Sequence, residues 1–142
     1  MQLVPPEQIA AVMALAPAPH SFAELDEQVA EGLPKAALKA GVERLGRNAD
    51  ERRILLHRVV PEATFKRRRD RLSPAESEKT ERLARVYATA RHVWNSDADA
   101  LAFLHAPHAM LGGQHPLEVA MTELGARRVE TLLWRLFYGI AA

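Results

Sequence analysis

The sequence predicts an all-α protein, with a helix-turn-helix bundle followed by a smaller helical domain. Three observations support this prediction. Aromatic residues make up only 6% of the 142 residues and alanine is abundant, which favours helix over sheet. Apolar residues recur at spacings of three and four along most of the chain. Helix-start signals also recur, such as Ser73-Pro74-Ala75-Glu76, in which Ser73 and Glu76 can form a capping box.

The apolar periodicity and the capping residues define the expected helices in order. Their expected limits are 7–15, Ser21 to Gly32, Pro34 to Gly46, Asn48 or Asp50 to Val59, 61–69, 75–95, Ser96 or Asp97 to Pro107, 116–124 and 126–138. The residues expected to face the core include Phe22, Ile54, Leu124 and Phe137. Gly46 and Gly125 are each expected to end a helix, and Ser21 with Glu24 is expected to form a second capping box.

The same signals divide the chain into three segments. Residues 1–20 are expected to form an N-terminal extension that ends in a proline-containing linker. Residues 21–72 are expected to form a helix-turn-helix domain that binds DNA. Residues 73–142 are expected to contain a long connecting helix and the second helical domain.

The strongest indication of function is a basic stretch between two helix starts. Residues 50–71 contain eight Lys or Arg and four Asp or Glu, a net charge of +4 in a chain of net charge +1. Two short helices joined by a tight turn, the second of them basic, are typical of the helix-turn-helix. We therefore predict that the helix 61–69 enters the major groove of DNA, with Phe65 anchored in the core. The candidate DNA-binding residues are Glu62, Ala63, Thr64, Lys66, Arg67, Arg68, Arg69 and Arg71.

Composition excludes several other classes of protein. The absence of cysteine excludes a disulfide framework and cysteine-based zinc sites. No run of 18 apolar residues and no basic N-terminal region occur, so we expect a cytoplasmic protein with neither a membrane span nor a secretory signal. Pro107 breaks the helical spacing of His105, His108 and His115, which we interpret as exposed loop residues rather than zinc ligands. We expect no metal, no cofactor and no enzymatic activity.

The last helix carries more apolar surface than one neighbour can cover. Trp134 and Tyr138 lie on a different side from the core-facing residues, and we expect this second side to meet another chain. The alternative is that Trp134 packs under the loop at Gly112-Gly113. A second apolar face runs from Leu83 to Trp94, and we expect one of the two faces to form a homodimer. Within this last helix, the residues expected to face the core are Val129, Leu132, Leu133, Leu136 and Phe137.

Several short motifs combine into a pattern that extends over residues 30–142. The first half contains Gly32-Leu33-Pro34-Lys35 with Leu38, Pro61 with Thr64, Arg67 and Arg68, and Leu72-Ser73-Pro74 followed by Arg82-Leu83-Ala84-Arg85-Val86. The second half contains Leu111-Gly112-Gly113, Pro116-Leu117, Glu123, Gly125, Ala126, Val129, Glu130 and Leu133. In their order and spacing these motifs resemble the Xre–MbcA–ParS antitoxin family, with its C-terminal toxin-binding domain in the second half.

The resemblance implies an antitoxin of a type II toxin–antitoxin pair. Its partner would be a RES-type toxin, encoded by the neighbouring gene, that consumes NAD or transfers from it. The helix-turn-helix would bind operator DNA and autoregulate the operon, and the C-terminal domain would block the toxin's active site. The tail 139–142 is expected to offer its carboxylate to a cationic group of the toxin. The candidate toxin-binding residues are Leu111, Gly112, Gly113, Gln114, Pro116, Trp134, Arg135 and Tyr138.

Two other interpretations remain open at the level of sequence. The first is a helix-turn-helix transcription regulator without a toxin partner, which the absence of a neighbouring toxin gene would favour. The second is a structural or adaptor helical protein, which predicts no salt-dependent affinity for DNA.

Overall fold

The computed structural model describes residues 3–139, which are helical and contain no strand. The all-α prediction is therefore confirmed. None of the described helices is both long enough and apolar enough to cross a lipid bilayer. The helices are α1 Pro6–Val12, α2 Phe22–Glu31, α3 Lys35–Leu45, α4 Ala49–Val59, α5 Glu62–Arg67, α6 Pro74–Trp94, α7 Asp97–Leu104, α8 Pro116–Val119 and α9 Glu123–Phe137, with a 3₁₀ turn at Ala109–Leu111.

The chain forms two compact units. The N-terminal unit contains residues 5–84, and the C-terminal unit contains residues 85–139 together with residues 3 and 4. The division lies within α6, so that the first half of this helix belongs to one unit and its second half to the other. The boundary expected from the sequence, between residues 72 and 73, lies just before α6 begins.

In the N-terminal unit, α1 packs against α2 and α3, and α3 packs against α4. The segment expected as an N-terminal extension thus includes a packed helix, and Ile9 within it and Met13 at its C-cap are fully buried. Burying such a side chain stabilises the folded state by roughly 1.5–3 kcal/mol relative to leaving it in water. The other large buried side chains of this unit include Leu25, Leu33, Leu38, Leu45, Leu55, Val60, Phe65, Leu72 and Leu83.

After α5 the chain turns back along the start of α3. Residues 68–73, which we call the return segment, run antiparallel to residues 32–35, with an isolated β-bridge between Pro34 and Arg71. Two backbone hydrogen bonds of 2.8 Å flank this bridge. The return segment thereby fixes the position at which α5 ends relative to the position at which α3 begins.

A buried side chain of α6 completes this arrangement. The backbone N–H of Leu33 donates to the Oγ of Ser77 at 2.7 Å, across 44 residues of sequence. Both residues are fully buried. Without the Ser77 hydroxyl, the Leu33 N–H would be a buried donor with no partner, which costs the folded state the desolvation of that group.

In the C-terminal unit, α8 packs against α7 and α9. A buried ion pair joins α6 to α9, because Arg85 Nε donates to Glu130 Oε1 at 2.8 Å. Burial raises the pKa of Glu130, and the adjacent Arg85 opposes that rise. Arg85 also contacts Glu123, at the start of α9, at 3.4 Å. Removing one partner would leave a buried charge uncompensated, so this pair constrains how α6 and α9 meet.

The capping predictions are confirmed in part. At the start of α6, Glu76 N–H donates to Ser73 Oγ at 3.1 Å and Ser73 N–H donates to Glu76 Oε1 at 2.8 Å, which is a complete capping box. At the start of α2, Ser21 Oγ accepts from Glu24 N–H, but the Glu24 carboxylate accepts from His20 N–H instead of Ser21. The side chains of Asn48, Ser96 and Thr122 cap the N-termini of α4, α7 and α9.

Four residues expected in the core are exposed instead. Phe22 is the first residue of α2, Leu124 the second residue of α9 and Phe137 the last residue of α9, so each lies at a helix end that its neighbours do not cover. Leu124 is the extreme case, with 70% of its surface exposed. Ile54 lies within α4, where the adjacent Leu55 takes the buried position.

Of the two glycines expected to end helices, Gly46 does so and Gly125 does not. Gly125 lies inside the first turn of α9, where an added Cβ would overlap the carbonyl oxygen of Val119. The single helix expected before Gly125 is therefore wrong: α8 ends at Val119, and α9 begins at Glu123. Gly46 does follow α3, but with a φ of −92° it is not left-handed. A Cβ at Gly46 would lie 2.9 Å from the backbone nitrogen of Arg52, so close packing requires the glycine.

The buried bond to Ser77 generates a prediction about stability. Ser77→Ala is expected to lower the free energy of unfolding by roughly 1–3 kcal/mol, since the Leu33 N–H loses its acceptor. Thr80→Val is the matched control, because the Thr80 hydroxyl is also buried but donates only to the Glu76 carbonyl of its own helix, at 2.9 Å. Urea denaturation followed by circular dichroism measures both. Equal losses in the two variants would contradict the role of Ser77.

Candidate functional site

The helix-turn-helix consists of α4, the two-residue connection Val60–Pro61, and α5. Phe65 lies in the middle of α5 and is buried, as predicted. The ring of His57, on α4, meets the Phe65 ring edge-on with the centroids 6.3 Å apart. Lys35 Nζ, at the start of α3, lies 4.2 Å from the centroid of the same ring. The side chain of Phe65 therefore holds α5 against both α4 and α3.

The basic helix is shorter than the predicted 61–69. It contains six residues, Glu62–Arg67, with Pro61 at the N-cap and Arg68 at the C-cap. Arg68 has extended backbone angles, φ −65° and ψ 131°, because the chain enters the return segment there. Lys35 Nζ donates to the Arg68 carbonyl oxygen at 3.1 Å and so satisfies a carbonyl at the end of the helix.

The position of Phe65 determines which residues of α5 face outward. At 3.6 residues per turn, the residues two before and two after Phe65 point away from the core. These are Ala63 and Arg67, and both are exposed. Glu62 and Lys66 lie beside them and are also exposed. The outward face of α5 thus carries a small residue between longer charged ones.

Two of the candidate DNA-binding arginines are engaged within the fold. The guanidinium of Arg68 donates to both carboxylate oxygens of Glu76, each at 3.1 Å. Burial opposes ionisation of Glu76, but hydrogen bonds from Arg68 and Ser73 outweigh it and lower the pKa of Glu76. Arg71 Nη1 donates to the carbonyl oxygen of Gly32 at 2.7 Å. Arg68 and Arg71 therefore secure the return segment.

The other three cations among the candidate DNA-binding residues face solvent. Lys66 lies 3.4 Å from Glu62, and both side chains are exposed. Arg67 Nη2 donates to Thr64 Oγ1 at 3.3 Å. Arg69 is exposed and makes no hydrogen bond or ion pair within the described residues. Exposed pairs of this kind contribute at most about 1 kcal/mol, so these cations can exchange their contacts for a phosphate or a base.

Lys35 is a positioning residue that was not predicted from the sequence. Its ammonium group contacts the Phe65 ring and the Arg68 carbonyl, and its backbone N–H donates to the Asp70 carbonyl at 2.8 Å. The Gly-Leu-Pro-Lys motif included this lysine, but its partners lie 30 or more residues away in sequence, beyond the range of a local pattern.

In the C-terminal unit, the turn 108–114 is closed by hydrogen bonds. His108 Nδ1 accepts from Met110 N–H at 3.1 Å, and the His108 carbonyl accepts from Gly113 N–H at 2.9 Å. Gly112 and Gly113 have φ values of 65° and 80°, so the chain makes a tight turn here in the left-handed region that glycine adopts readily. Neither glycine has an atom close to where a Cβ would lie, so conformation, and not crowding, favours glycine at both positions.

His105, His108 and His115 all take part in hydrogen bonds in this part of the fold. Besides the cap formed by His108, His115 Nδ1 lies 2.6 Å from the carbonyl oxygen of His105. Only His115 is fully exposed, whereas His105 and His108 are half-buried, so the expectation of three exposed loop histidines is wrong for two of them. Within residues 3–139, no group of three or more His, Asp or Glu side chains is arranged to hold a metal ion.

Four of the eight candidate toxin-binding residues lie in two separate groups of side chains. Leu111 and Arg135 line one groove of the C-terminal unit, together with other residues of α9. Trp134 and Tyr138 belong to a group of aromatic side chains, described next. Pro116 is buried at the start of α8. The exposed candidates are Gly112, Gly113, Gln114, Arg135 and Tyr138. Residues 140–142, which include most of the expected tail, lie outside the described residues.

His92 of α6 and Trp134, Phe137 and Tyr138 of α9 form what we call the aromatic cluster. The ring centroids are 5.4 Å apart for His92 and Trp134, 5.5 Å for Trp134 and Phe137, and 5.1 Å for Phe137 and Tyr138. Trp134 is buried, whereas Phe137 and Tyr138 are 44% and 56% exposed. The expectation that Phe137 faces the core and Trp134 lies on an outer side is therefore wrong. Trp134 packs against His92, which lies outside the apolar stripe of α6 and gave no signal in the sequence.

The apolar face of α6 does not form a surface for a partner. The expected stripe from Leu83 to Trp94 is buried within the protein's own core at Leu83, Val86, Tyr87 and Ala90. Of the stripe, Trp94 is exposed, and its ring packs against Phe103 with the centroids 5.9 Å apart. The expectation of a surplus apolar face on α6 is therefore wrong.

Comparison with protein families assigns both halves of the chain. Residues 24–85 match the antitoxin Xre-like helix-turn-helix domain, which includes α4, α5 and the return segment. Residues 89–139 match the antitoxin Xre/MbcA/ParS C-terminal toxin-binding domain, which includes the turn 108–114 and the aromatic cluster. No individual curated protein matches the chain. The two matches follow one another in the order that the sequence motifs predicted, and the chain belongs to the Xre/MbcA/ParS family of antitoxins.

Proposed function

We propose that this antitoxin neutralises a RES-type, NAD-consuming toxin encoded by the neighbouring gene and represses its own operon by binding operator DNA. The observation that carries the proposal is the succession of a helix-turn-helix domain and a toxin-binding domain in one chain. The RES fold and the use of NAD come from the resemblance of the sequence motifs. The exposed groups of the two units provide the physical support.

The DNA-binding half of the proposal rests on the outward face of α5. In helix-turn-helix proteins, the N-terminal residues of the second helix contact base edges in the major groove. Ala63 and Arg67 project directly away from the anchored Phe65. A small residue at 63 allows close approach to the groove floor, and the Arg67 guanidinium can donate to a base or a phosphate. Arg69 lies beyond the end of α5, a position suited to a phosphate contact that fixes the orientation on the duplex.

The toxin-binding half rests on the exposed part of the aromatic cluster. Aromatic and arginine side chains dominate the energetics of protein interfaces, and an exposed pair of rings is unusual on the surface of a protein without a partner. The rings of Phe137 and Tyr138 pack against the ring of the buried Trp134. Their positions are therefore fixed before the toxin binds, and little side-chain entropy is lost on binding. Flat rings presented in this way suit a pocket shaped for the flat rings of a dinucleotide. We infer that they cover the NAD pocket of the toxin, beside the turn 111–114.

We also infer that the antitoxin acts as a homodimer. A single helix-turn-helix contacts one half-site, and two-fold operators are bound by two-fold proteins. Multi-angle light scattering at micromolar concentration is expected to give twice the 15.8 kDa mass of the chain. A monomer mass both free and on operator DNA would contradict this expectation.

Substitution of the outward arginines tests DNA binding. If Arg67 contacts a base, Arg67→Ala costs roughly 1–3 kcal/mol at the operator and relaxes sequence preference. Arg69→Ala is expected to weaken binding to all sequences alike and to lower the slope of log affinity against log salt by about one. Fluorescence anisotropy with the operon's own promoter, at several salt concentrations, measures both effects.

Two control variants accompany this titration. Lys79→Ala removes an exposed cation of α6, outside α4 and α5, and should leave the affinity unchanged. Arg68→Ala should lower thermal stability, because Glu76 loses its partner. Wild-type affinity in the Arg67→Ala/Arg69→Ala double variant would show that α5 is not the recognition helix.

Substitution of the exposed rings tests toxin inhibition. Phe137→Ala/Tyr138→Ala is expected to weaken inhibition by roughly 30-fold or more, as for an interface residue worth at least about 2 kcal/mol. Phe22→Ala is the matched control, because Phe22 has the same 44% exposure as Phe137 but lies in the N-terminal unit. The assay follows NAD consumption by the purified toxin against antitoxin concentration. If the double variant inhibits as strongly as Phe22→Ala, the aromatic cluster does not cover the active site.

A further inference from the structure

A groove of about 270 Å³ lies in the C-terminal unit, between the 3₁₀ turn and α9. We call it the arginine groove. Its rim carries three arginines and its floor is apolar. The groove is lined by Arg127, Arg128 and Arg135, which we call the rim, by Met110, Leu111 and Leu132, which we call the floor, and by Thr131.

The three arginines are brought together by helical spacing. Arg128 and Arg135 lie seven residues apart on α9, with Leu132 between them on the same face, and Arg127 lies eight residues before Arg135. Sequence analysis singled out only Arg135, although this spacing was present in the sequence. Three like charges around one groove repel one another, so the arrangement is most favourable with an anionic group between them.

The protein itself does little to neutralise this charge. Arg127 Nε lies 3.8 Å from Glu123, in an exposed pair, and Glu123 also contacts Arg85. Arg128 and Arg135 make no hydrogen bond or ion pair with any other residue between 3 and 139. Their guanidinium groups are therefore free to bind a carboxylate, which arginine can do through two parallel hydrogen bonds.

The floor of the groove indicates what accompanies the carboxylate. Met110 is 49% exposed although it is a large apolar residue. Methionine adapts its shape to the side chain that it meets, and it is common at binding surfaces for that reason. A nucleic-acid backbone would not use an apolar floor. The volume lies below the roughly 300–1,000 Å³ of typical small-molecule sites, which favours part of a peptide over a whole nucleotide.

We propose that the arginine groove receives an acidic side chain and an adjacent apolar side chain from the toxin. This inference rests on the proposed function and gives the toxin-binding domain a second contact, separate from the aromatic cluster. The groove lies within the matched toxin-binding domain, and it shares Leu111 and Arg135 with the candidate toxin-binding residues. The carboxylate binds between Arg128 and Arg135, and the apolar side chain packs on Met110.

Charge reversal of single arginines tests the proposal. Arg128→Glu and Arg135→Glu in the full-length antitoxin are each expected to weaken binding to the purified toxin at least tenfold by isothermal titration calorimetry. Both are also expected to reduce the salt dependence of the affinity, because an ion pair has been lost. Lys79→Glu, an exposed residue of α6 in the N-terminal unit, is the control for the same change of charge. Circular dichroism verifies that every variant is folded.

Two further variants make the result specific. Met110→Asp places a carboxylate on the floor and should weaken binding, whereas Arg128→Lys keeps the charge but loses the paired hydrogen bonds and should weaken binding less than Arg128→Glu does. If the two arginine reversals bind the toxin as tightly as Lys79→Glu, the groove is not a toxin contact. If they instead lose affinity for promoter DNA while the toxin still binds, the groove binds nucleic acid and the proposal is wrong.

The design separates this inference from the proposed function. A wild-type antitoxin that does not bind or inhibit the toxin would overturn both. A wild-type antitoxin that inhibits the toxin, with arginine variants that inhibit equally well, would overturn the arginine groove alone.

Discussion

The path of the chain after α5 is the constraint on which the N-terminal unit depends. α5 has six residues, well below the roughly 12–15 needed for even marginal helical stability alone, so its conformation and its direction must come from its surroundings. The return segment supplies them. It pairs with residues 32–35, and Ser77 of α6 holds the backbone of Leu33 from within the core. The helix proposed to read DNA is thus oriented by bonds that are distant from it in sequence.

This constraint also explains why the basic stretch contains more arginines than an outward-facing helix can use. Arg68 and Arg71 bind Glu76 and the Gly32 carbonyl, and so they secure the segment that positions α5. The side chains of Arg67 and Arg69 are exposed to solvent. A run of like charges that looks uniform in the sequence therefore has two roles, and the contacts of each arginine in the folded chain decide which role it takes.

The fold was predictable to the extent that its signals are local. Capping boxes and apolar periodicity identified the helices, because a cap and its partner lie three residues apart. Several of the errors concern contacts between different helices. The burial of Trp134 in place of Phe137 depends on His92 of another helix, and the need for glycine at position 125 depends on a carbonyl of α8. The arginine groove needs the 3₁₀ turn beside α9, a proximity that local patterns do not contain.

The outward direction of Ala63 and Arg67 has a consequence for how such proteins diverge. Neither side chain contributes to the packing that holds α5, so substitutions at these two positions are largely free of stability costs. Under the proposed function, an operator and its repressor can therefore change together, one base and one side chain at a time, without loss of the scaffold. A duplicated operon in the same genome could in this way acquire its own operator specificity, and the original antitoxin would then no longer regulate it.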